Sequence, residues 1–350
     1  MIRQKVQTSA VVLFIVLLPF LAYSIWDYAE ATRLRGRFSA VIRSGAPLAL
    51  PYHRPTGEAA DAERYYRAAA ALVLHGDSGA SIASNGAWRS IRQGEWTPGV
   101  IALARAETDK NRDALEFVDR AAALPFDDFL VGSSYSYRAG DLLALARVCE
   151  FRAAAAAAGN DGDAALASLY SEARLARAFE STSTASWTVV APAFTGLTFV
   201  LERTRPSAVA VDRLAGALAA LDRDDRLKEA FVRFRATMLN QVMTSPPSRQ
   251  PGPLIAHLTV RSLDGFSALI AEADEPWTTR LAAVNAVGVW PQPNLFALGA
   301  AGRTRLESYT RAVGEQVRRI RCARLYVAGG NLDLVDPFSG KRLEVMSCQV

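Results

Sequence analysis

The side chains in this sequence with chemistry to offer are few and far apart. His53, His75 and His257 are its only histidines. None stands in an HExxH-like setting where a second ligand or a general base would sit one helical turn away, so none is assigned as base or metal ligand. His75-Gly76-Asp77-Ser78-Gly79 contains GDSG, a string that can present a nucleophilic serine. That chemistry needs a base histidine and a buried carboxylate on a β framework, and here the string follows an alanine-rich helical stretch, so it reads as a helix cap and loop. Asp127-Asp128, between Phe126 and Phe129, is a candidate carboxylate dyad, but neighbours in sequence rarely aim at one substrate, and a solvated loop or N-cap is the plainer reading. No catalytic residue, cofactor-binding residue or metal ligand is assigned, and no cofactor is expected.

A second group of residues suits contact better than catalysis. Tyr135, Ser136, Tyr137 and Arg138 stand just before a helix, and with Trp187 they make a candidate groove lining or an interhelical packing cluster. Arg311, Arg318 and Arg321 share one side of a long helix, with Arg324 further round, and could face an anionic partner or simply water near the helix C-terminus. Asp333, Asp336 and Ser339 supply too few oxygens for calcium, and Asp336 to Gly340 reads as a β-turn. Cys149, Cys322 and Cys348 show no CxxC and no histidine at ligand spacing, which argues against zinc or a redox motif. Cys322 and Cys348 are the candidate disulfide if the domain is exported, with two free buried thiols as the alternative, while Cys149 reads as a small buried residue.

The elements that must carry these residues begin with residues 10 to 26, AVVLFIVLLPFLAYSIW, an uncharged run that follows Arg3 and Lys5 and stops at Asp27. Seventeen helical residues span about 26 Å, enough for a bilayer core if Trp26 and Tyr28 lie in the interface. A single-pass anchor over 10–28 is the expectation, following a short tail over 1–9. A cleaved signal peptide ending near Ala22-Tyr23-Ser24 is the alternative. Both carry the remainder to the extracytoplasmic (periplasmic) side of the inner membrane. Arg33, Arg35 and Arg37 compete with Arg3 and Lys5 for the inside, but Asp27 and Glu30 follow the run directly.

Beyond the anchor, 29–57 reads as a juxtamembrane helix and a Pro/Gly linker, 58–244 as a helical array, 245–253 (SPPSRQPGP) as a breaker, and 254–350 as a helical C-terminal part. Helices are expected over 58–74, 100–124, 138–158, 163–180, 186–203, 207–221, 226–242, 254–273, 276–287 and about 294–328, with a loop over 77–98 holding Trp88 and Trp96. Leu142, Leu145, Cys149 and Ala153 define one apolar face and Leu166, Leu169, Ala173 and Ala176 a second, whose polar side carries Glu172, Arg174 and Arg177. Asn160-Asp161-Gly162 joins them as an antiparallel hairpin. The alanines allow close approach, so the fold class is mainly α: an N-terminal transmembrane helix, then antiparallel hairpins stacked as a degenerate tetratricopeptide-like array, then a short β-like C-terminal turn, with 342–346 strand-like. Of the 40 Lys and Arg only Lys5, Lys110, Lys228 and Lys341 are lysine. GC-rich coding produces that bias without help from function, and no nucleic-acid partner is expected.

The apolar N-terminus, the block YRAGDLLALARVCEFRAAAAAAGNDGDAALASLYSEARLARAFES and the closing DPFSGKRLEV together resemble uncharacterised membrane-anchored helical bacterial proteins of planctomycete and acidobacterial type. In those a helix hairpin with a Gly-Asp turn precedes a terminal DPF-x-GK-x-L segment. The resemblance implies the layout and no activity. The function expected is a non-enzymatic scaffold or protein-interaction module tethered to the bilayer through 10–28, with protein partners. The alternative is an envelope enzyme whose site is assembled from scattered residues.

Overall fold

The computed structural model describes residues 2–45, 56–73, 78–125, 139–178, 197–223, 225–244, 252–277, 279–280, 282, 284, 289–290, 297–298 and 300–348, with side chains in the first helix from residue 17. Apart from two short strands, the regular structure among them is helical. Two compact units form, one from 1–50, 228–275 and 279–308, the other from 51–227, 276–278 and 309–350. These cuts fall elsewhere than the 245–253 breaker, most of which lies outside the described residues. Units made from distant segments rest on tertiary contacts, which local composition does not signal.

The first unit is built on α1 (Ile2–Arg43), one continuous helix that passes through Pro19. Its second half packs on α11 (Pro253–Ala271), burying Glu30, Leu34 and Val41. The two helices run parallel in a fixed register: Glu30 Oε1 meets His257 Nδ1 at 3.3 Å, and seven residues on Arg37 Nε meets Asp264 Oδ1 at 3.0 Å. Two polar contacts at the same sequence offset along neighbouring helices fix direction as well as proximity. Phe266 of α11 also lies 6.1 Å from Phe231 and 5.9 Å from Phe234 of α10 (Arg226–Thr244), between ring centroids. Antiparallel β1 (Val289–Trp290) and β2 (Ala297–Leu298) pair Val289 with Leu298, a hairpin absent from the sequence expectation, which put a helix over 276–287 and another from 294.

Among the described residues no helix is long and apolar enough to cross a membrane. The expected anchor over 10–28 lies partly outside them, because the side chains of 2–16 are not described. Those that are described differ sharply from the packed half of α1. Leu17, Leu18, Phe20, Leu21, Tyr23, Ile25, Trp26 and Tyr28 are 41–74% exposed.

The second unit holds α2 (Glu58–Leu72), α3 (Ser78–Arg92), α4 (Pro98–Lys110), α5 (Arg112–Ala123), α6 (Ala139–Ala158), α7 (Gly162–Ala178), α8 (Leu197–Arg203), α9 (Ala208–Leu221) and most of α12 (Ala300–Val327). Three expectations needed correction here. The 77–98 loop contains α3, because Ala87 and Ile91, one turn apart, bury against α4 and α6 and outweigh the Gly and Ser content. The single helix over 100–124 is α4 and α5, broken at buried Asn111 (φ −106°, ψ 21°), whose Nδ2 donates to the Glu107 carbonyl at 3.0 Å. The strand-like 342–346 makes one β-bridge, Val335 to Arg342, and then a 3₁₀ turn over Val345–Cys348.

The α6–α7 hairpin forms where the sequence put it. Asn160 takes a left-handed φ of 60°, and Asp161 N donates back to Ala156 O at 3.0 Å, which closes α6 with a Schellman-type cap. Asp161 Oδ1 then accepts from Ala164 N at 3.0 Å and opens α7. A Cβ on Gly162 would lie 2.9 Å from Pro206 N, so the chain before α9 can approach only a glycine. Asn160→Ala should cost about 1 kcal/mol and Asn160→Gly almost nothing, because alanine bears the left-handed penalty and glycine does not; urea denaturation of the full chain in detergent reads the difference.

The packing order is not that of a regular repeat array. α2 packs chiefly on α5, α4 on α6, α6 on α7, and α7 on α9. A consecutive hairpin stack would make α2 and α3 principal neighbours. Thr97 and Ser207 cap α4 and α9, each hydroxyl accepting from the amide three residues on at 3.3 Å.

Candidate functional site: a buried carboxyl pair in the α6–α7 hairpin

α6 is covered on several sides, by α4, α7, α2, α3 and α8. Its apolar residues accordingly run round the helix: Leu142, Leu145, Val148, Cys149, Phe151, Ala154 and Ala157 are all buried. Glu150 lies between two of them and is buried with them. α7 is enclosed in the same way, and Glu172 is 0% exposed. The sequence reading set Glu172 on a solvent-facing side with Arg174 and Arg177; this is corrected, because α6, α5, α8 and α9 all pack on α7. Arg174, half-buried, donates to the carbonyls of Ala122 at 3.2 Å and Leu124 at 2.6 Å.

Hydrogen bonding leaves the two carboxyl groups mostly unsatisfied. Glu150 Oε2 accepts from the Trp88 indole N–H. Its Oε1 and both oxygens of Glu172 are buried without a hydrogen-bond partner. The Trp88 ring carries two guanidinium groups, those of Arg92 and Arg147, each 4.8 Å from its centroid. Burial pushes the Glu150 carboxyl up to about 8, against the opposing pull of Arg92, the Trp88 hydrogen bond and Arg147. Burial raises Glu172 as well, the charge of Glu150 adds to this, and Arg92 opposes it. Burial lowers Arg147, with Glu150 and Glu107 acting the other way.

One helical turn away the same hairpin shows what a satisfied polar cluster looks like. Arg152 grips Asp119 of α5 with two hydrogen bonds of 2.6 and 2.7 Å and donates through Nε to Ser168 Oγ at 2.9 Å. Ser171 Oγ donates to Asp119 Oδ1 at 2.7 Å. Every strong group there is paired, although Asp119 also reaches solvent. Glu150 and Glu172 are not, and such a pair can hold a proton, give it up or pass it on. Cys149 beside them is a buried thiol whose pKa burial pushes upward, which suits an inert packing residue.

The residues singled out from sequence are not gathered at this place. Tyr135, Tyr137, Arg138 and Trp187 lie outside the described residues, as do His53, His75, Asp127 and Asp128. His257 is in the first unit against Glu30. Arg311, Arg318 and Arg321 do not make one solvent-facing stripe. Arg311 is exposed, Arg318 Nε meets Asp336 Oδ2 at 3.3 Å, and Arg321 is buried, bonded to Asp222 Oδ1 at 3.0 Å and to the Val335 carbonyl at 2.9 Å. Arg324 also pairs with Asp222. Cys322 and Cys348 are bonded, with Cα atoms 5.4 Å apart. Asp336 Oδ1 accepts from the amides of Phe338 at 2.8 Å and Ser339 at 3.3 Å, and Gly340 has φ 66°, so the segment is a side-chain-closed turn.

Glu150 and Glu172 were not picked out as a pair from the sequence. The signal for Glu150 was there: a lone carboxylate between Cys149 and Phe151, in a run whose other charges from Leu142 to Ala158 are Arg147 and Arg152. Glu172 gave none, since its arginine neighbours imitate a solvated face. No protein-family description, curated protein or solved structure matches the chain.

Proposed function

We propose that this is a membrane-tethered helical protein of the cell envelope, anchored by α1 through residues 10–28, with its helical body outside the inner membrane acting as a non-enzymatic scaffold for protein partners. One observation carries the tether. At about 100° per residue, the exposed apolar side chains from Leu17 to Tyr28 go right round α1. A protein groove would cover one face of such a helix and leave the others wet. A bilayer covers all of them, and a helix apolar on every side needs that kind of surrounding. Trp26 and Tyr28, at the end of the run, are the residue types that settle at a membrane interface.

The register of α1 on α11 supports a stiff connection. The Tyr23 hydroxyl stands beside Gly252, where α11 begins, so packing starts within the last turns of the apolar run. Buried Glu30 and the Arg37–Asp264 pair continue it. The same layout is what the resemblance to membrane-anchored bacterial proteins implies. An enzyme is the second reading, favoured by the carboxyl pair, but both carboxyl groups are closed to solvent and a substrate would have to open the hairpin to reach them.

Fractionation of cells making the full chain tests the tether. The protein should stay with membranes through an alkaline wash and leave only with detergent. Leu18→Glu with Leu21→Glu, at roughly 2.5–3.5 kcal/mol per charge near the bilayer centre, should move it to the soluble fraction. Recovery of the unaltered, full-length chain in the soluble fraction without detergent would overturn the reading. An intact mass lacking the first 24 residues would replace the anchor by a cleaved signal.

A further inference from the structure

We propose that Glu150 and Glu172 are carboxylic acids in the folded protein, and that the protons they hold keep the α6–α7 hairpin closed until the two groups ionise. The argument starts from geometry. Two carboxyl groups on facing helices, 3% and 0% exposed, present three oxygens with no hydrogen-bond partner. A carboxylate stripped of water and left without donors is among the least stable arrangements a protein interior can hold. A carboxylic acid is not, because its proton removes the charge that burial penalises.

The charges around the pair determine which way it titrates. From α3 comes Arg92, from α6 itself Arg147, and both lie against the Trp88 ring. Glu107 of α4 acts on Arg147, and Arg319 of α12, with Glu315 beside it, acts on Arg92. Asp119 of α5 is engaged by Arg152 and Ser171. Tyr66 of α2 and Cys149 are both held neutral by burial across the whole range in question. α8 faces the core with Leu197 and Val200, and its Arg203 lies over Trp96. The surrounding cations are enough to moderate the burial of the carboxyls and not enough to reverse it.

A carboxyl group that holds its proton more tightly folded than unfolded gives stability that is complete below its ordinary range and is lost as pH rises through the folded value. For Glu150 that window runs from the ordinary 4.5 to about 8. In an exported body the pair would feel the pH of the surroundings. Once both groups are charged, repulsion and the demand for water act across α6 and α7, and the Trp88 hydrogen bond is the first contact exposed to them.

The test uses the full chain in detergent. The unfolding equilibrium constant should rise about tenfold per pH unit for each proton held, between pH 5 and 8. Glu150→Gln with Glu172→Gln should flatten that dependence, and Glu172→Gln alone should weaken it. Infrared difference spectra of the unaltered protein, which need no variant, should contain a protonated-carboxyl carbonyl band at pH 7 that weakens as the pH is raised through the Glu150 value. The same pH slope in the double variant as in the unaltered chain would overturn the proposal. So would the lack of a pH-sensitive carboxylic acid band, whether or not the variants fold.

Discussion

Replacing Asp222 with alanine should cost about 3–5 kcal/mol, the range for breaking a buried ion pair from one side. The Asp222 side chain is 4% exposed and is the shared counter-ion of Arg321 and Arg324 on α12. Arg321 is nearly as buried and spends a second donor on the Val335 carbonyl, so neither its Nε nor its charge can turn to water when the carboxylate goes. The loss should be read as a fall in the denaturant midpoint of the full chain with its slope unchanged. Asp222→Asn should lose nearly as much, because it keeps one acceptor but removes the negative charge that the two guanidinium groups share. Replacing all three members by apolar residues of similar size should recover much of the stability, since the ion pairs bring their own desolvation cost. A loss below about 0.5 kcal/mol for Asp222→Ala would mean that the cluster takes up water freely, which is the behaviour of surface pairs.

The second large effect belongs to the C-terminal clasp. Cys322 lies on α12 and Cys348 in the last turn, 26 residues apart, and closing a loop of that length is worth about 3–4 kcal/mol against the unfolded chain. Cys322→Ser with Cys348→Ser, or reduction, should lower stability by that amount. The bond does not act alone. Arg318 reaches Asp336, Arg321 reaches Val335, and the Phe338 ring lies 5.8 Å from that of Trp277. A Cβ on Gly314 would come within 2.6 Å of the Phe338 ring, so α12 carries a glycine where the clasp crosses it. Any of these contacts that persists in the unfolded ensemble reduces what the covalent bond adds. The thiol count also reports compartment. Chain taken from membranes and denatured without reductant should expose one alkylatable thiol, Cys149, and all three after reduction. Three thiols before reduction would place the body in a reducing compartment and remove the export on which the proposed function depends.

Legibility from sequence followed how local each signal was. Ser207, Asn160 and Asp161 announce their caps and turn through their own side chains and backbone preferences, so α9 and the α6–α7 hairpin fall where the residues put them. The apolar run before Asp27 is legible for the same reason, since hydropathy is additive along the chain. α3 was missed because Ala87 and Ile91 gain their stability from α4 and α6, while the local Gly and Ser favour a loop. The split at Asn111 was missed because alanine-rich flanks hide a polar residue that a buried break turns inward.

By itself the sequence determined that the chain is helical, that its N-terminus is apolar on every face, and where several of its helices start and stop. These depend on residues within a few turns of one another. Only the tertiary structure decided that α1 runs parallel to α11, and that Arg321 faces inward to Asp222 across 99 positions. It alone decided that Glu172, which looks solvated beside its arginines, is enclosed with Glu150. Which face of a helix becomes interior depends on how many neighbours cover it. α7 is covered from several sides, and a count of neighbours is a property of the folded chain that spacing along the sequence cannot carry.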